Sequence, residues 1–404
     1  MTKNMHDWFF MRDGFTSFRL DPERDRAYLF GKLDRNRRDA LLDGIEEACY
    51  GLRGYKGVMY GDYGRGKTHQ CQNLVYECAH RDLPVKPVYV KCTEYGAKEP
   101  FSSLFYPMIL GLGAAEIHRV AQAYEKRVEA KQADPIVSVI GEGDVARVFL
   151  SLQLNNFELV LLAMKWLGGT KLDGKTLEKL GAALSPQITV SRDFASVMKG
   201  LAHMFLEVDQ RVLLFLIDEA DLFKGVTNAD STQKWVSSLR SLTEITPVGY
   251  IFFVGANNED EIPQMLVWDE VRTRIGAANY RDLPNPGDAA MRQWIAEFFQ
   301  TFVLKGNAPE SHRAALAEAA NITDVPVELR NIVGDDAGAI AAFPFTPEAL
   351  DDFIVHSVTD VFANKPREIL DRIDRAAARA MRLNQHRIDS AVLAAIRGES
   401  TEEL

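Results

Sequence analysis

Hydrophobic and polar positions between residues 57 and 284 switch between two periods, which predicts strands separated by helices. Short apolar runs typical of β-strands alternate with segments of helical spacing. The run at 212–217 is apolar throughout, as expected of a strand covered on both faces. This alternation predicts an α/β fold in which a parallel sheet lies between two helical layers. The predicted strands are 58–60, 87–90, 212–217, 248–254 and a weaker one at 279–283.

Helical patterns flank these strands and fill one long stretch between them. Apolar residues recur at helical spacing in 40–49, so the N-terminal segment 1–56 is predicted to end in a helix. Residues 113–193 fit the strand–helix alternation poorly and are predicted to form a helical insert. Within it, 157–167 is apolar on nearly every side, which favours burial in a core over docking on a partner.

The C-terminal region shows only helical patterns after a linker rich in proline at 284–287. An apolar stripe begins at Met291 and continues through Phe302 to Val303. Capping signals mark two further helix starts, at Thr346-Pro347 and at Asn364-Lys365-Pro366. The predicted division is an N-terminal segment 1–56, an α/β domain 57–284 containing the insert 113–193, an all-helical domain 285–397 and an acidic, frayed tail 398–404.

Length and charge narrow the class of protein. The 404 residues suffice for two or three domains, and 47% apolar with 26% charged residues is ordinary for a globular protein. The 47 basic and 57 acidic residues give a net charge of −10. This acidity argues against coating nucleic acid by bulk charge, so contact with DNA would need a local basic patch.

Cysteine use and the N-terminus indicate a cytoplasmic protein. The four cysteines form no C-x-x-C pair, so they are expected to be reduced, buried thiols, with no disulfide framework or zinc site. The first residues lack the basic start and apolar run of a signal peptide. The longest pure apolar run, 212–217, is far too short to span a bilayer, so no membrane partner is expected.

Residues 61–68 match the pattern G-x-x-x-x-G-K-[ST] at every fixed position, between a predicted strand and a predicted helix. Such a loop wraps triphosphate oxygens with backbone N–H groups at a helix N-terminus, where the helix dipole favours anions. Lys67 would neutralise phosphate charge, and the Thr68 hydroxyl would bind Mg²⁺. His69 follows the loop, where a plain helix residue is favoured over a catalytic group. The candidate nucleotide-binding residues are Gly61, Gly64, Gly66, Lys67, Thr68 and His69.

The apolar strand 212–217 ends in two carboxylates, Asp218 and Glu219. Carboxyl ends of parallel strands share one edge of a sheet, so both acids are expected to face the crevice that holds the phosphates. Asp218, with Thr68, would hold Mg²⁺, and Glu219 would polarise the attacking water as a general base. A solvated strand end, or helix capping by Asp221, is the alternative.

Together these motifs resemble those of AAA+ ATPases, and the resemblance covers about 25–112 and 190–397. It implies ATP and Mg²⁺ as cofactors, bound between the α/β domain and a helical lid. It assigns Asn257 to orienting the attacking water, with Asn258 or an ordinary strand end as alternatives. Arg274, or else Arg272, resembles the arginine that reaches the nucleotide of a neighbouring subunit, with a surface salt bridge as the alternative.

Two further segments carry the same resemblance. Residues 365–368 are similar to the motif whose arginine, here Arg367, touches the γ-phosphate and reports lid closure. Residues 30–32, followed by Arg37 and Asp39, loosely resemble the segment that lines the adenine pocket.

Within AAA+ proteins the resemblance is to initiators, Tn7-type transposition regulators and ATPases of bacterial anti-phage islands such as BREX. Initiators usually carry a basic winged-helix domain after the lid, and none is expected here because the sequence ends at Leu404. The insert 113–193 is a second departure from that branch. It is expected to bind a partner protein specific to this chain.

A basic stripe offers one route to DNA. Four arginines, spaced three, four and three residues apart, share one face of a predicted helix. This face would contact a phosphate backbone or a partner, although a solvated face paired with Asp371 and Asp374 is favoured. The four are Arg372, Arg375, Arg379 and Arg382.

The functional expectation is an ATP-hydrolysing protein that assembles into a homo-oligomeric ring or filament. It would act as a switch or motor on DNA or a partner protein, in mobile-element or anti-phage machinery. An alternative is a nucleotide-gated scaffold that recruits a nuclease or transposase with little turnover. A third is a simple signalling NTPase that never assembles. The catalytic candidates are Lys67, Asp218, Glu219, Asn257, Arg274 and Arg367.

Overall fold

A computed structural model describes most of the chain. The described residues are 4–9, 11, 17–92, 101–154, 156–181, 188, 191–226, 229–299, 331–332, 336, 339, 342–359 and 365–402. Several predicted features lie wholly or partly outside them: Phe302 and Val303 of the apolar stripe, Asn364 of one helix start, residues 182–187 of the insert and the last two residues of the tail.

Five parallel strands form one sheet, and each coincides with a predicted strand. Within the described residues the strands are β1 (Lys56–Gly61), β2 (Val85–Lys91), β3 (Val212–Asp218), β4 (Val248–Gly255) and β5 (Tyr280–Asp282). The order across the sheet is β2-β3-β4-β1-β5. The expected α/β fold with a parallel sheet is therefore confirmed.

Strand β3 shows why the sheet has a helical layer on each face. All seven of its residues are buried, and successive side chains of a strand point to opposite faces. Leu213 and Phe215 pack in one hydrophobic core, whereas Leu214 and Leu216 pack in another. Each face therefore needs its own apolar cover.

Helices supply that cover, and further helices follow the last strand in the part of the chain that the structure describes. The first ten are α1 (Met5–Trp8), α2 (Lys32–Tyr50), α3 (Lys67–His80), α4 (Ser102–Leu112), α5 (Ala114–Glu129), α6 (Ile136–Ile140), α7 (Asp144–Gln153), α8 (Phe157–Leu167), α9 (Gly174–Lys179) and α10 (Ser191–Asp209). The later helices of the described residues are α11 (Ala229–Thr243), α12 (Gln264–Val267), α13 (Asp269–Ile275), α14 (Asp288–Glu297), α15 (Pro347–Thr359), α16 (Pro366–Arg382) and α17 (Ser390–Glu402). Short 3-10 helices occupy Ala220–Gly225, Glu259–Glu261 and Ala277–Asn279.

The chain divides into two compact bodies, which interleave along the sequence. The sheet body is Asp39–Asp62 with Lys67–Leu283 and holds all five strands. The helical body is Met1–Arg38 and Pro284–Leu404 together with Tyr63–Gly66. It has a core of its own, rich in aromatic residues such as Phe30, Trp294 and Phe298.

The predicted insert region extends one helical layer of the sheet body. Its helices share a core with one face of the sheet. Helix α8 buries Val160, Ala163 and Trp166, but Phe157 is 81% exposed and Leu161 is 43% exposed. The expectation of burial therefore holds for one face of this helix and fails for the other.

The four cysteines are buried free thiols, as expected. Burial raises the pKa of Cys49 and of Cys78 to about 12, so these thiols stay protonated and unreactive at neutral pH. Within the described residues, the helices are all too short or too polar to cross a membrane.

Candidate functional site

The predicted phosphate loop joins β1 directly to α3. Gly61 is the last residue of β1, Lys67 is the first residue of α3, and Thr68 and His69 lie half-buried in the first turn of that helix. Gly64 and Gly66 have φ angles of +82° and +91°, which side-chain-bearing residues adopt only with strain. The two glycines let the backbone close into a loop at the N-terminus of a helix.

Lys67 lies over the loop it follows. Its Nζ donates hydrogen bonds to the carbonyl oxygens of Gly61, at 3.0 Å, and of Asp62, at 2.9 Å. An ammonium group held across the loop in this way is in place to meet an anion bound by the backbone N–H groups. His69 lies in the first turn of α3, and the choice between a plain helix residue and a catalytic group stays a prediction.

Asp218 is buried at the carboxyl end of β3 and fixed through both carboxylate oxygens. The Tyr89 hydroxyl donates to Oδ2 at 3.0 Å, and the Glu219 backbone N–H donates to Oδ1 at 3.0 Å. Burial, followed by the charge of Asp218, raises the pKa of Tyr89. The phenol therefore stays protonated and donates a hydrogen bond to the carboxylate. The carboxylate is thereby held in one orientation.

Glu219 has an unusual backbone and a charged partner. Its φ and ψ are +58° and +33°, the left-handed region that residues other than glycine seldom occupy. Lys91, at the end of β2, places its Nζ 3.1 Å from Glu219 Oε1. The hydrogen bond to Glu219, followed by its charge, raises the pKa of Lys91. Both side chains stay open to solvent, at 60% and 43% exposure.

Asn257 follows β4, the strand that lies between β1 and β3. Its amide nitrogen donates to both carboxylate oxygens of Glu261, and its backbone N–H donates to Oε2 at 2.9 Å. Asn258 Oδ1 accepts from the Glu261 backbone N–H, which caps the short helix Glu259–Glu261. Both asparagines are thus hydrogen-bonded to Glu261, and a role for either toward a reacting group stays a prediction.

Asp221 holds the ends of two strands together. Its Oδ1 accepts a hydrogen bond from the Gly255 backbone N–H at 3.0 Å, and Lys224 donates to the Gly255 carbonyl at 2.8 Å. These contacts link the segment after β3 to the last residue of β4.

The two arginines of α13 are paired within the chain. Arg274 Nε donates to Glu244 Oε1 at 3.1 Å, and Arg272 donates to Glu259 at 2.8 Å. The Arg272 guanidinium also lies 5.0 Å from the centre of the Tyr280 ring. Both arginines therefore make the surface salt bridges of the alternative interpretation, and a role toward a second subunit stays a prediction.

Residues 63–66 form the crest of the loop, and they pack with the helical body. Arg367, in the first turn of α16, donates to the Tyr63 hydroxyl at 3.2 Å and lies 5.7 Å from the centre of that ring. Its backbone N–H also points to the Gly64 carbonyl, at 3.4 Å. Arg367 is exposed and contacts the crest of the predicted phosphate loop.

Residues 30–32, Arg37 and Asp39, which resemble an adenine-pocket lining, make packing contacts and ion pairs within the chain. Phe30 is buried among the aromatic residues of the helical body, with 2% exposure. Gly31 donates its N–H to Glu297 at 2.8 Å, and Arg37 lies 3.8 Å from Asp34. Asp39 pairs with Arg81 at 2.6 Å. A role for these residues toward a base stays a prediction.

The basic stripe lies on α16 as predicted, opposite its buried face. Arg375 and Arg382 are exposed. Asp371 pairs with Arg19 at 3.0 Å, and Asp374 accepts from the Phe18 backbone N–H at 2.9 Å. The N-terminal segment thus binds both acids that were expected to pair with the stripe.

Thr68 and Asp218 supply the oxygen donors that Mg²⁺ prefers. This ion is commonly held by one or two protein oxygens together with phosphate oxygens and water. Across the described part of the chain, histidine, cysteine, aspartate and glutamate form no group of three or more that could hold a metal. The residues present fit an ion that takes its remaining ligands from a bound nucleotide.

Comparisons with known proteins identify no family for this chain. It matches no family model and no curated protein. Fifteen chains of solved structures match it, among them the ORC1 protein of Aeropyrum pernix, whose structure was determined in complex with DNA. That match has a TM-score of 0.43 and 12% identity over 92% of this chain, which spans 66% of that protein's length.

Proposed function

We propose that this chain is an AAA+ ATPase that binds ATP with Mg²⁺ and hydrolyses it. One observation carries the proposal: within the sheet body, Lys67 and Thr68 open the helix after β1, while Asp218 and Glu219 end β3 of the same parallel sheet. The carboxyl ends of these strands meet at one edge of the sheet, so the Lys67 ammonium, the Thr68 hydroxyl and the two carboxylates share that edge.

Each of these residues has a definite role in phosphoryl transfer to water. The helix dipole of α3 and the Lys67 ammonium would bind the β- and γ-phosphates. Thr68 and Asp218 would hold Mg²⁺, which supplies charge neutralisation on the phosphates when bound. Glu219 would accept a proton from the attacking water, and Asn257 would orient that water, since β4 separates the loop strand from the acidic strand.

We propose further that the protein assembles with nucleotide into a homo-oligomer. Arg274, or else Arg272, would leave its carboxylate partner on the same chain and contact the phosphates of a neighbouring subunit. Arg367 would exchange the Tyr63 hydroxyl for the γ-phosphate. Each exchange replaces an exposed ion pair or hydrogen bond with a contact to phosphate. The loss costs little, because exposed ion pairs contribute little to stability.

Within this proposal the oligomer is a cytoplasmic switch or motor that acts on DNA or on a partner protein. A role in mobile-element or anti-phage machinery is the pathway that the motifs favour. Exposed Arg375 and Arg382 would meet a phosphate backbone. The exposed face of α8, with Phe157 and Leu161, would meet a partner protein.

A nucleotide-gated scaffold is the second candidate, and one contact favours it. Lys91 pairs with Glu219, so one carboxylate oxygen of the proposed general base is already occupied. Slow turnover would then only reset an assembly that recruits an effector nuclease or transposase. A scaffold keeps its downstream activity in Glu219→Gln and loses it in Lys67→Ala, whereas a motor loses it in both.

Nucleotide binding and assembly are tested together. Wild type, Lys67→Ala and a control, Lys234→Ala at an exposed position on α11, are titrated with ATP and Mg²⁺ by calorimetry and followed by light scattering. We expect wild type and the control to bind ATP and gain mass, and Lys67→Ala to do neither. Absence of ATP binding by wild type would refute the proposal, and wild type that binds ATP but stays monomeric would favour a simple signalling NTPase.

A further inference from the structure

Arg65, at the crest of the loop, is buried although it stands at a variable position of the phosphate-loop pattern. Its side chain is 3% exposed. NH2 donates to Asp34 Oδ1 at 2.7 Å, and NH1 donates to Asp34 Oδ2 at 3.1 Å. Nε donates to the Pro284 carbonyl oxygen at 2.6 Å. Both guanidinium branches and Nε are therefore engaged by the protein itself.

Because its guanidinium is engaged by protein groups, Arg65 is not placed to bind phosphate as Lys67 is proposed to do. A guanidinium that forms a two-pronged pair with a carboxylate and a third bond to a carbonyl is fixed in position. Its charge is matched by a buried acid, since Asp34 is 6% exposed. Burying two charges is tolerated only where the pairing geometry is good, and loss of Asp34 leaves the buried Arg65 charge without its carboxylate partner.

The flanking residues explain why such an anchor matters. Gly64 and Gly66, on either side of Arg65, both adopt positive φ angles. Glycine reaches many backbone conformations at similar cost, so a loop built on these two residues is intrinsically variable. The anchored side chain between them selects one of those conformations.

The anchor point is itself held firmly. Asp34 lies in the first turn of α2. The residue before that helix, Gly31, donates its N–H to the buried Glu297 at 2.8 Å, and Arg35 NH2 donates to the other Glu297 oxygen at 2.9 Å. The start of α2 is thus bound to the end of α14, and Asp34 has little freedom to follow a moving loop.

We propose that Arg65 is a positioning residue that, through Asp34, holds the phosphate loop in its anion-binding conformation. This inference rests on the proposed function, because it assumes that the loop binds nucleotide phosphates. Preorganisation of a loop improves affinity by removing the cost of ordering it on binding. Loss of the pair should therefore weaken the binding of ATP beyond any effect on folding.

The test compares full-length wild type with Asp34→Asn and with Asp43→Asn, which changes an exposed carboxylate on the same helix. ATP affinity is measured by calorimetry with Mg²⁺, and the ATP-induced rise in Tm is measured beside the basal Tm. We expect Asp34→Asn to bind ATP at least about tenfold more weakly and Asp43→Asn to bind as wild type does. A lower basal Tm with unchanged ATP affinity would overturn the proposal.

A double-mutant cycle tests whether the two residues act as one unit. If they do, Arg65→Gln combined with Asp34→Asn loses no more affinity than the more damaging single change. Losses that multiply would contradict the pairing. Arg65→Lys keeps the charge without the fork, so it covers the case in which the other variants fail to fold. It should fold and bind ATP more weakly than wild type, and equal affinity would overturn the proposal.

Different results would refute the proposed ATPase function and the proposed role of Arg65. If wild type binds no ATP, the proposed function is refuted and the role of Arg65 falls with it. If wild type and Asp34→Asn bind ATP equally well, only the role of the Arg65–Asp34 pair is refuted.

Discussion

Glu219 carries two features that bear on its use as a base. Its left-handed backbone costs about 1–2 kcal/mol relative to an ordinary conformation. Its carboxylate faces solvent beside the Lys91 ammonium rather than lying in the core. A strained turn directly after a buried strand aims the carboxylate away from the sheet interior, where the Lys91 ammonium occupies one of its oxygens.

Replacing Lys91 tests whether its ion pair with Glu219 slows ATP hydrolysis. We expect Lys91→Met to raise kcat for ATP hydrolysis by about two- to fivefold, the effect of losing one exposed ion pair, with KM for ATP unchanged. Lys91→Arg keeps the pair with Glu219 and serves as the matched control, so its kcat should stay near the wild-type value. Steady-state kinetics decide between outcomes. A fall in kcat in Lys91→Met would mean that the lysine assists the reaction.

Sequence spacing predicted the residues whose roles depend on local order along the chain. Lys67 and Thr68 follow a strand and open a helix, and Asp218 and Glu219 end a strand, as expected. Tyr89 and Lys91 escaped prediction because their link to the acidic pair depends on β2 lying beside β3. Arg65 escaped because the motif leaves its position undefined and Asp34 lies 31 residues away.

Among the elements, α5 is tied to the sheet body by a charged network. Glu116, in its first turn, accepts from Lys86 of β2 at 2.8 Å and from Arg119 Nε at 2.8 Å. Arg119 also donates to Asp209, at the end of α10. The first helix of the predicted insert is therefore bound both to a strand and to the helix that leads into β3.

This network makes a pH-dependent contribution to stability. Hydrogen bonds from Arg119 and Lys86 lower the pKa of Glu116 from 4.5 to about 2. An acid whose pKa is lower in the folded state stabilises the protein above its unfolded pKa, and that contribution is lost as pH falls from about 4.5 toward 2. Stability should therefore decline across that window.

We expect Glu116→Gln to lower the free energy of unfolding by roughly 1 kcal/mol at pH 7, because the side chain is partly exposed and solvent screens the pairs. The difference from wild type should shrink as pH falls to 3. Urea denaturation at the two pH values measures it. Glu158→Gln, which removes an exposed partner of Lys179, is the control and should leave stability unchanged. A difference as large at pH 3 as at pH 7 would contradict the assignment to charge.

Element prediction succeeded where one pattern decided the outcome. The strands were predictable because a fully apolar run such as β3 needs cover on both faces. Helix α8 was predicted as a helix, and the side chain of Asn156 caps its first turn. Its exposed side could not be predicted, because the packing of α7 against it decides which of its apolar residues are covered.

At the scale of the whole molecule, the two bodies interleave along the sequence. The crest of the loop, Tyr63–Gly66, groups with the N-terminal and C-terminal segments, whereas the rest of the loop groups with the sheet. A reading along the chain predicted consecutive domains, with boundaries at 56 and 284, and those boundaries stay predictions. Contacts such as Arg65 with Asp34 follow from the folded chain and have no local signal.

The proposed hydrolysis of ATP is decided by the turnover of wild type and Glu219→Gln, measured with Mg²⁺ and with and without duplex DNA. We expect measurable hydrolysis by wild type and a fall of at least about a hundredfold in Glu219→Gln, the usual contribution of a general base. ATP affinity should be retained in that variant, and the exposed control Glu158→Gln should hydrolyse ATP as wild type does. Wild-type turnover no greater than that of Glu219→Gln would contradict ATP hydrolysis by this site.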